Sequence, residues 1–194
     1  MTKDAPGKGP SNLPYLITSI VALVIIVTAW TGRERFQAPG PGGPAPHFEF
    51  VDLAGESVGL DDFEDKVVLL NVWATWCPPC IYEMPSMQRL YEMLEGEPFE
   101  IVAVSVDGRR AGESGPLGRL AGDPQAFADS LGLTFTILHD PEGRIMRSYR
   151  TVGVPESFLI GRDGRIYRKV SGATEWDHPS YVQYIQRLIR NEEG

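Results

Sequence analysis

Cysteine is nearly missing from this chain: 194 residues hold two, Cys77 and Cys80. That excludes a disulfide framework of the kind that staples small secreted folds, but leaves room for one redox pair. Histidine is almost as sparse, and His47, His139 and His178 lie far apart without ligand spacing. A zinc site needs about four ligands, and no second cysteine pair supplies them, so no metal is expected. Positive charge is also in deficit, with 18 Lys and Arg against 26 Asp and Glu, a net charge of −8. A nucleic-acid binder needs a basic face to neutralise phosphates, so nucleic acid is excluded as a partner. Lys3, Lys8, Arg33 and Arg35 all lie near the N-terminus, so the rest of the chain is more acidic still. Such acidity favours solubility and discourages binding to anionic lipid surfaces.

Charge is absent altogether from residues 13–30, LPYLITSIVALVIIVTAW. As a helix rising about 1.5 Å per residue the run spans roughly 27 Å, near the hydrocarbon thickness of a bilayer. Pro14 falls in the first turn, and Tyr15 and Trp30 stand near the ends, where aromatic residues favour the interface. The run is expected to be a transmembrane signal-anchor, with residues 1–12 as a short cytoplasmic N-terminus. A cleaved signal peptide is the alternative, since Val27, Thr28 and Ala29 offer small residues for cleavage. Against it, the run exceeds the usual signal core of about 7–15 residues. Either reading exports the rest of the chain. The flanking charges orient the helix only weakly, because Lys3 and Lys8 precede it and Arg33 and Arg35 come after it. Residues 31–44, TGRERFQAPGPGGP, lack any apolar period and read as a Pro/Gly-rich tether.

Residues 45–194 read as one domain. Alternation over 48–53 predicts a strand ended by Ala54 and Gly55. The runs VVLLNVW at 67–73 and IVAVSV at 101–106 are continuously apolar, as in strands buried on both faces. Apolar residues three and four apart predict a helix over 78–94, kinked by Pro85. Asp123 and Pro124 open a helix to Leu131, and 135–138 is a short strand. Strands at 157–160 and 166–170 flank a turn at 161–164, and a last helix covers 181–189. This order predicts an α/β fold with a mixed sheet. Residues 108–122, rich in Gly and Arg, read as a surface insertion, either a solvated loop or a partner-binding one.

The chemistry is concentrated in Trp76-Cys77-Pro78-Pro79-Cys80. A buried strand ends just before it and a helix begins within it, so Cys77 stands at a helix N-terminus. The partial positive charge there favours a thiolate, the nucleophile of disulfide exchange. Cys80, one turn in, would be the more buried resolver, and Pro78 and Pro79 suit a first turn. A haem attachment site would need His after Cys80, where Ile81 stands. A purely structural disulfide closing so small a loop would add little constraint. Redox exchange remains.

WATWCPPC, preceded by VVLLN and followed by Pro85, resembles the thioredoxin superfamily. Residues 45–80 are similar to the TlpA/ResA/CcmG type of membrane-tethered thiol–disulfide oxidoreductase, and GVPESFLIGRDGRI at 153–166 resembles that group's second signature. The resemblance implies a thioredoxin-like fold, a central mixed sheet flanked by helices behind one transmembrane helix. It also implies a single-pass protein of the cell membrane with its catalytic domain on the extracytoplasmic side. Cys77 would be the attacking thiol, Cys80 the resolving thiol and Pro155 a cis-proline. Val154 and Pro155 would lie against Cys77, the Val154 backbone pairing with an extended substrate, and Trp76, Pro78 and Pro79 would complete that surface. Asn71 stands where thioredoxin has a buried Asp, and it cannot take the proton that Cys80 releases. Glu83 matches an active-site Glu of ResA-like proteins; it is either an acid/base or a solvent-facing helix charge. Glu156 matches the Pro-Glu of CcmG-like members and reads as a surface residue.

The expected activity is reduction of disulfides in exported proteins, with apocytochrome c as an implied client and a membrane thiol-electron donor. No cofactor is implied, and nothing demands more than a monomer. A disulfide-forming oxidase would use the same cysteines, but no Lys, Arg or His lies between them to make Cys77 very acidic. A thiol peroxidase fits poorly, because Trp73, Ala74, Thr75 and Trp76 do not form a peroxidatic context. A non-catalytic module that reads thiol state remains the last alternative.

Overall fold

The structure, a computed structural model, describes residues 13–31 and 39–191. It comprises two compact units, Met1–Ala38 and Pro39–Gly194. In the first unit, α1 (Leu13–Thr31) is a 19-residue helix without an acidic or basic residue. Its few polar side chains turn back on the helix, as where the Thr28 hydroxyl donates to the Val24 carbonyl at 2.8 Å. Its described side chains run from Tyr15 to Thr28, with Trp30 beyond. Among the described residues no helix is long and apolar enough to cross a membrane. The expected cytoplasmic residues 1–12 and residues 32–38 of the expected tether lie outside the described residues.

The second unit begins earlier than position 45. The Gly42 N–H donates to the Ile166 carbonyl and the Ala45 N–H to the Gly164 carbonyl, each at 2.8 Å. The last part of the Pro/Gly-rich segment is thereby laid along the turn of a later hairpin. Composition alone hides this, because the bonds involve only backbone.

Seven strands form one mixed sheet in the order β2-β1-β5-β4-β3-β6-β7. They are β1 (Glu49–Asp52), β2 (Ser57–Gly59), β3 (Val67–Trp73), β4 (Phe99–Ser105), β5 (Thr136–His139), β6 (Glu156–Ile160) and β7 (Ile166–Ser171). β3 and β4 are parallel, with Leu70 opposite Val102, and β4 and β5 are parallel. β6 runs antiparallel to β3 and sets Ser157 opposite Asn71. Every residue of β3, β4 and β6 is buried. That is the reason β3 and β4 read as continuous apolar runs: a strand covered on both faces has no side left for polar residues.

Helices supply the parallel crossovers. α2 (Pro78–Met93) joins β3 to β4, and Met84, Met87 and Leu90 bury its inner face. Pro85 sits inside α2 without ending it. α3 (Pro124–Leu131) joins β4 to β5, with the Asp123 carboxylate accepting from the N–H of Gln125 at 2.9 Å and of Ala126 at 3.2 Å. α4 (Arg144–Tyr149) is too short to show a period and escaped sequence reading, as did the three-residue β2. α5 (Pro179–Ile189) closes the domain and buries Ile185, Leu188 and Ile189.

The insertion at 108–122 is an ordered hairpin. Ser114 bridges Leu120 in antiparallel fashion, and the Ala121 N–H donates to Glu113 at 2.8 Å. Its glycines serve close approach. A Cβ on Gly115 would stand 2.7 Å from the Val106 carbonyl oxygen, and one on Gly122 would stand 2.5 Å from Thr75 Oγ1. The hairpin therefore lies on the chain just beyond β4 and beside the residues that precede Cys77.

Candidate active site

β3 ends at Trp73, and the chain turns through Ala74, Thr75 and Trp76 into α2. Cys77 is the N-cap of that helix, with extended backbone angles and Pro78 and Pro79 in the first turn. Proline fits there because the first N–H groups of a helix have no internal partner. The two cysteines are joined in a disulfide with an S–S distance of 2.11 Å. The Cys80 N–H points at Cys77 Sγ at 3.2 Å, so the helix end offers the outer sulfur both its dipole and a donor. Cys80 is fully buried and Cys77 is 3% exposed. Pro78 and Pro79 are exposed beside the disulfide.

The Val154–Pro155 peptide is cis. The Val154 carbonyl oxygen stands 3.6 Å from Cys77 Sγ, which brings the second signature against the first across 77 residues of chain. Trp76 is half-buried, and its indole N–H is enclosed without a hydrogen-bond partner. The Arg119 guanidinium of the insertion hairpin lies 5.7 Å from the centre of the Trp76 ring.

Glu83 lies one turn beyond Cys80 on α2 and is 1% exposed, so it is not a solvent-facing charge. Asn71 Nδ2 donates to Glu83 Oε1 at 2.7 Å and also to Ser157 Oγ at 2.9 Å. The Thr174 N–H, from the segment after β7, donates to Glu83 Oε2 at 3.1 Å. Burial raises the Glu83 carboxyl from 4.5 to about 7, and the Asn71 and Thr174 hydrogen bonds offset only part of that rise. Ser86 fastens the same segment, donating to the Thr174 carbonyl at 3.2 Å and accepting from the Trp176 N–H at 3.0 Å. Three stretches of chain thus meet at one carboxyl group, and β6 joins through Ser157 and Asn71. Asn71 Oδ1, also buried, has no partner.

A second buried carboxylate, Asp107, escaped the sequence reading. It accepts from the Thr75 N–H at 2.8 Å, from the Thr75 hydroxyl at 2.7 Å and from the Ser105 hydroxyl at 2.8 Å. Thr75 Oγ1 in turn accepts the Gly122 N–H at 2.8 Å. The loop before Cys77 is therefore tied to the end of β4 and to the insertion hairpin. An acidic residue directly after a buried apolar strand was the available signal, because it had to be paired if it was not at the surface.

Glu156 corrects an expectation. It is 4% exposed rather than a surface residue, because it begins the buried strand β6. Its carboxylate accepts from the Ser171 hydroxyl at 2.9 Å and pairs with Lys169 Nζ at 3.2 Å, both from the neighbouring strand β7. Of the residues expected at the site, Cys77, Cys80, Val154, Pro155 and Trp76 gather around the disulfide, with Glu83 behind it. Among the described residues no group of three or more His, Cys, Asp or Glu side chains could hold a metal ion.

The AhpC/TSA family model matches residues 41–169. The thiol-disulfide oxidoreductase ResA of Geobacillus thermodenitrificans is 32% identical over 178 residues, covering 87% of this chain and 94% of the relative. ResA of Bacillus thuringiensis subsp. konkukian is 34% identical over 173 residues, covering 89% and 91%. Among solved structures, a putative thiol:disulfide interchange protein DsbE from Chlorobium tepidum superposes with a TM-score of 0.64 at 30% identity, covering 78% of this chain and 97% of that one. StoA from Bacillus subtilis gives 0.53 at 25% identity, covering 79% and 100%. The family match spans β1 to β6, the cysteine pair and the cis-proline segment described above. With that fold and that pair, the chain belongs to the AhpC/TSA family and, within it, to the ResA-type thiol–disulfide oxidoreductases.

Proposed function

We propose that the protein is a membrane-anchored reductase of disulfides in exported proteins. The observation that carries this direction is the surroundings of Cys77. Its sulfur meets one N–H donor, from Cys80, and one carbonyl oxygen, from Val154. No cationic side chain hydrogen-bonds to it among the described residues. A strong oxidant needs a very stable Cys77 thiolate, and a carbonyl oxygen works against one. Moderate thiolate stabilisation keeps the dithiol a good electron donor.

In the reduced protein the Cys77 thiolate attacks a client disulfide. A Cys77–client bond forms, and the client's other sulfur leaves and takes a proton. Cys80 then loses its proton and attacks Cys77 Sγ. The Cys77–Cys80 disulfide forms, and the client's remaining sulfur leaves as a thiol. Two electrons pass from the pair to the client. Glu83, one turn from Cys80, is the group that takes the proton, because a carboxyl titrating near 7 is balanced between holding and releasing it. Turning the Asn71 amide over would set its unpartnered oxygen toward a protonated Glu83, so both protonation states find a partner. Trp76, Pro78, Pro79, Val154 and Pro155 form the surface on which the client lies.

The proposed anchor is the uncharged run at 13–30, taken from its composition and not from the described helix, with residues 1–12 in the cytoplasm and the redox domain outside. Clients of this chemistry include apocytochrome c, and a membrane thiol carrier restores the dithiol. The redox domain acts as a monomer. Equilibration of the full chain with a thiol buffer tests the direction. A potential near or below about −250 mV is expected, and a value near about −120 mV would reassign the protein as an oxidase.

A further inference from the structure

The cysteine pair alone does not say which clients are preferred, and the insertion hairpin supplies an answer. Arg119 is exposed at its end, and its guanidinium stacks over Trp76, the residue directly before Cys77. It is unlike several other arginines of the domain. Arg89 pairs with Asp177 at 2.6 Å, Arg109 with Glu142 at 2.5 Å and Arg144 with Asp140 at 3.6 Å. Arg119 has no carboxylate within ion-pair distance among the described residues, and an aromatic face leaves its N–H edge free to donate.

Its backbone is held rather than loose. The Gly115 N–H donates to the Arg119 carbonyl at 3.0 Å, and Gly122 ties the same hairpin to Thr75, whose partner is the buried Asp107. The ordered backbone therefore presents the side chain beside Trp76, the residue before Cys77. Leu120, 66% exposed, offers an apolar neighbour. Around this cation the protein is strongly acidic, with a net charge of −8. An acidic client segment is repelled by the net charge of the chain and attracted at Arg119, the hairpin cation that lies over Trp76, which orients its docking.

We propose that Arg119 is a specificity-determining residue that binds a carboxylate flanking the reactive cysteine of the client. The partner is an extended segment of an exported protein with Asp or Glu close to its disulfide. This rests on the reduction of client disulfides by Cys77 proposed above, and deepens it.

The test uses the reduced full chain in detergent and three short peptides. Each has one internal disulfide, flanked by Glu, Gln or Lys. Single-turnover rates are compared between wild type, Arg119→Lys, Arg119→Gln and Arg119→Glu. One exposed ion pair is worth up to about fivefold in rate constant ratio. Charge reversal alters the pairing with both charged peptides, so the Glu-to-Lys peptide ratio should fall by about fivefold from wild type to Arg119→Glu. Arg119→Gln should be intermediate, Arg119→Lys should keep most of the preference, and high salt should flatten it. Equal ratios in wild type and Arg119→Glu would overturn the proposal and leave Arg119 as a support for Trp76. Failure of the wild type to reduce any of the three peptides would instead overturn the reductase reading on which the proposal rests.

Discussion

Two buried carboxylates stand on either side of the cysteine pair, and their surroundings differ. Asp107, ahead of Cys77, receives three donors, two of them hydroxyls that can turn to suit it. Glu83, behind Cys80, receives two, the Asn71 amide and the Thr174 N–H, and burial still drives its carboxyl up to about 7. Asp107 joins the end of β4, the loop before Cys77 and the insertion hairpin into one frame. Glu83 is held by Asn71, whose own side-chain oxygen is unpartnered, as suits the proton-carrying role proposed for it. Both acids are buried; Asp107 joins segments of chain, while Glu83, its carboxyl raised by burial, stands one turn from Cys80.

Removing the scaffold acid should have the largest effect. Asp107→Ala leaves the Thr75 N–H and two hydroxyls facing an empty buried space. The loss expected is about 3–5 kcal/mol, read from denaturant unfolding of the oxidised protein. A loss under about 1 kcal/mol would show that Asp107 does not hold this frame.

Removing the proposed proton carrier should leave folding largely intact and slow the chemistry. Glu83→Gln is expected to lower the rate of client release from the mixed disulfide by about 10–100-fold near pH 7. The sign of the pH dependence comes from the raised carboxyl. Below about 7 Glu83 is protonated and cannot accept, so the wild-type rate should climb through that region. In Glu83→Gln the rise through that region should be absent. Superimposable profiles would merge the two carboxylates into one structural class.

Much of this site could be read along the chain. VVLLNVW is apolar because β3 is covered on both faces, and Cys77 caps a helix because the strand stops and two prolines come next. The resemblance placed Pro155 beside Cys77, and the spacing of Glu83 to Cys80 is one helical turn. The features that stayed hidden depend on contacts between distant residues. Thr174 meets Glu83 across 91 positions and Gly122 meets Thr75 across 47, and neither backbone N–H has a signature in sequence. Glu156 looked like a surface charge because its partners, Ser171 and Lys169, are set by the register of β7 against β6. The insertion looked solvated because its order comes from close backbone approach at Gly115 and Gly122.

The contrast between the two acids rests on the proton affinity of Glu83, and that can be read directly. The side-chain carboxyl carbon of Glu83, labelled with carbon-13 and identified by its absence in Glu83→Gln, would be followed by NMR against pH in the oxidised protein. The account predicts a midpoint at about 7. A midpoint near the ordinary glutamate value of about 4.3 would contradict it and leave Cys80 without a proton acceptor at this position.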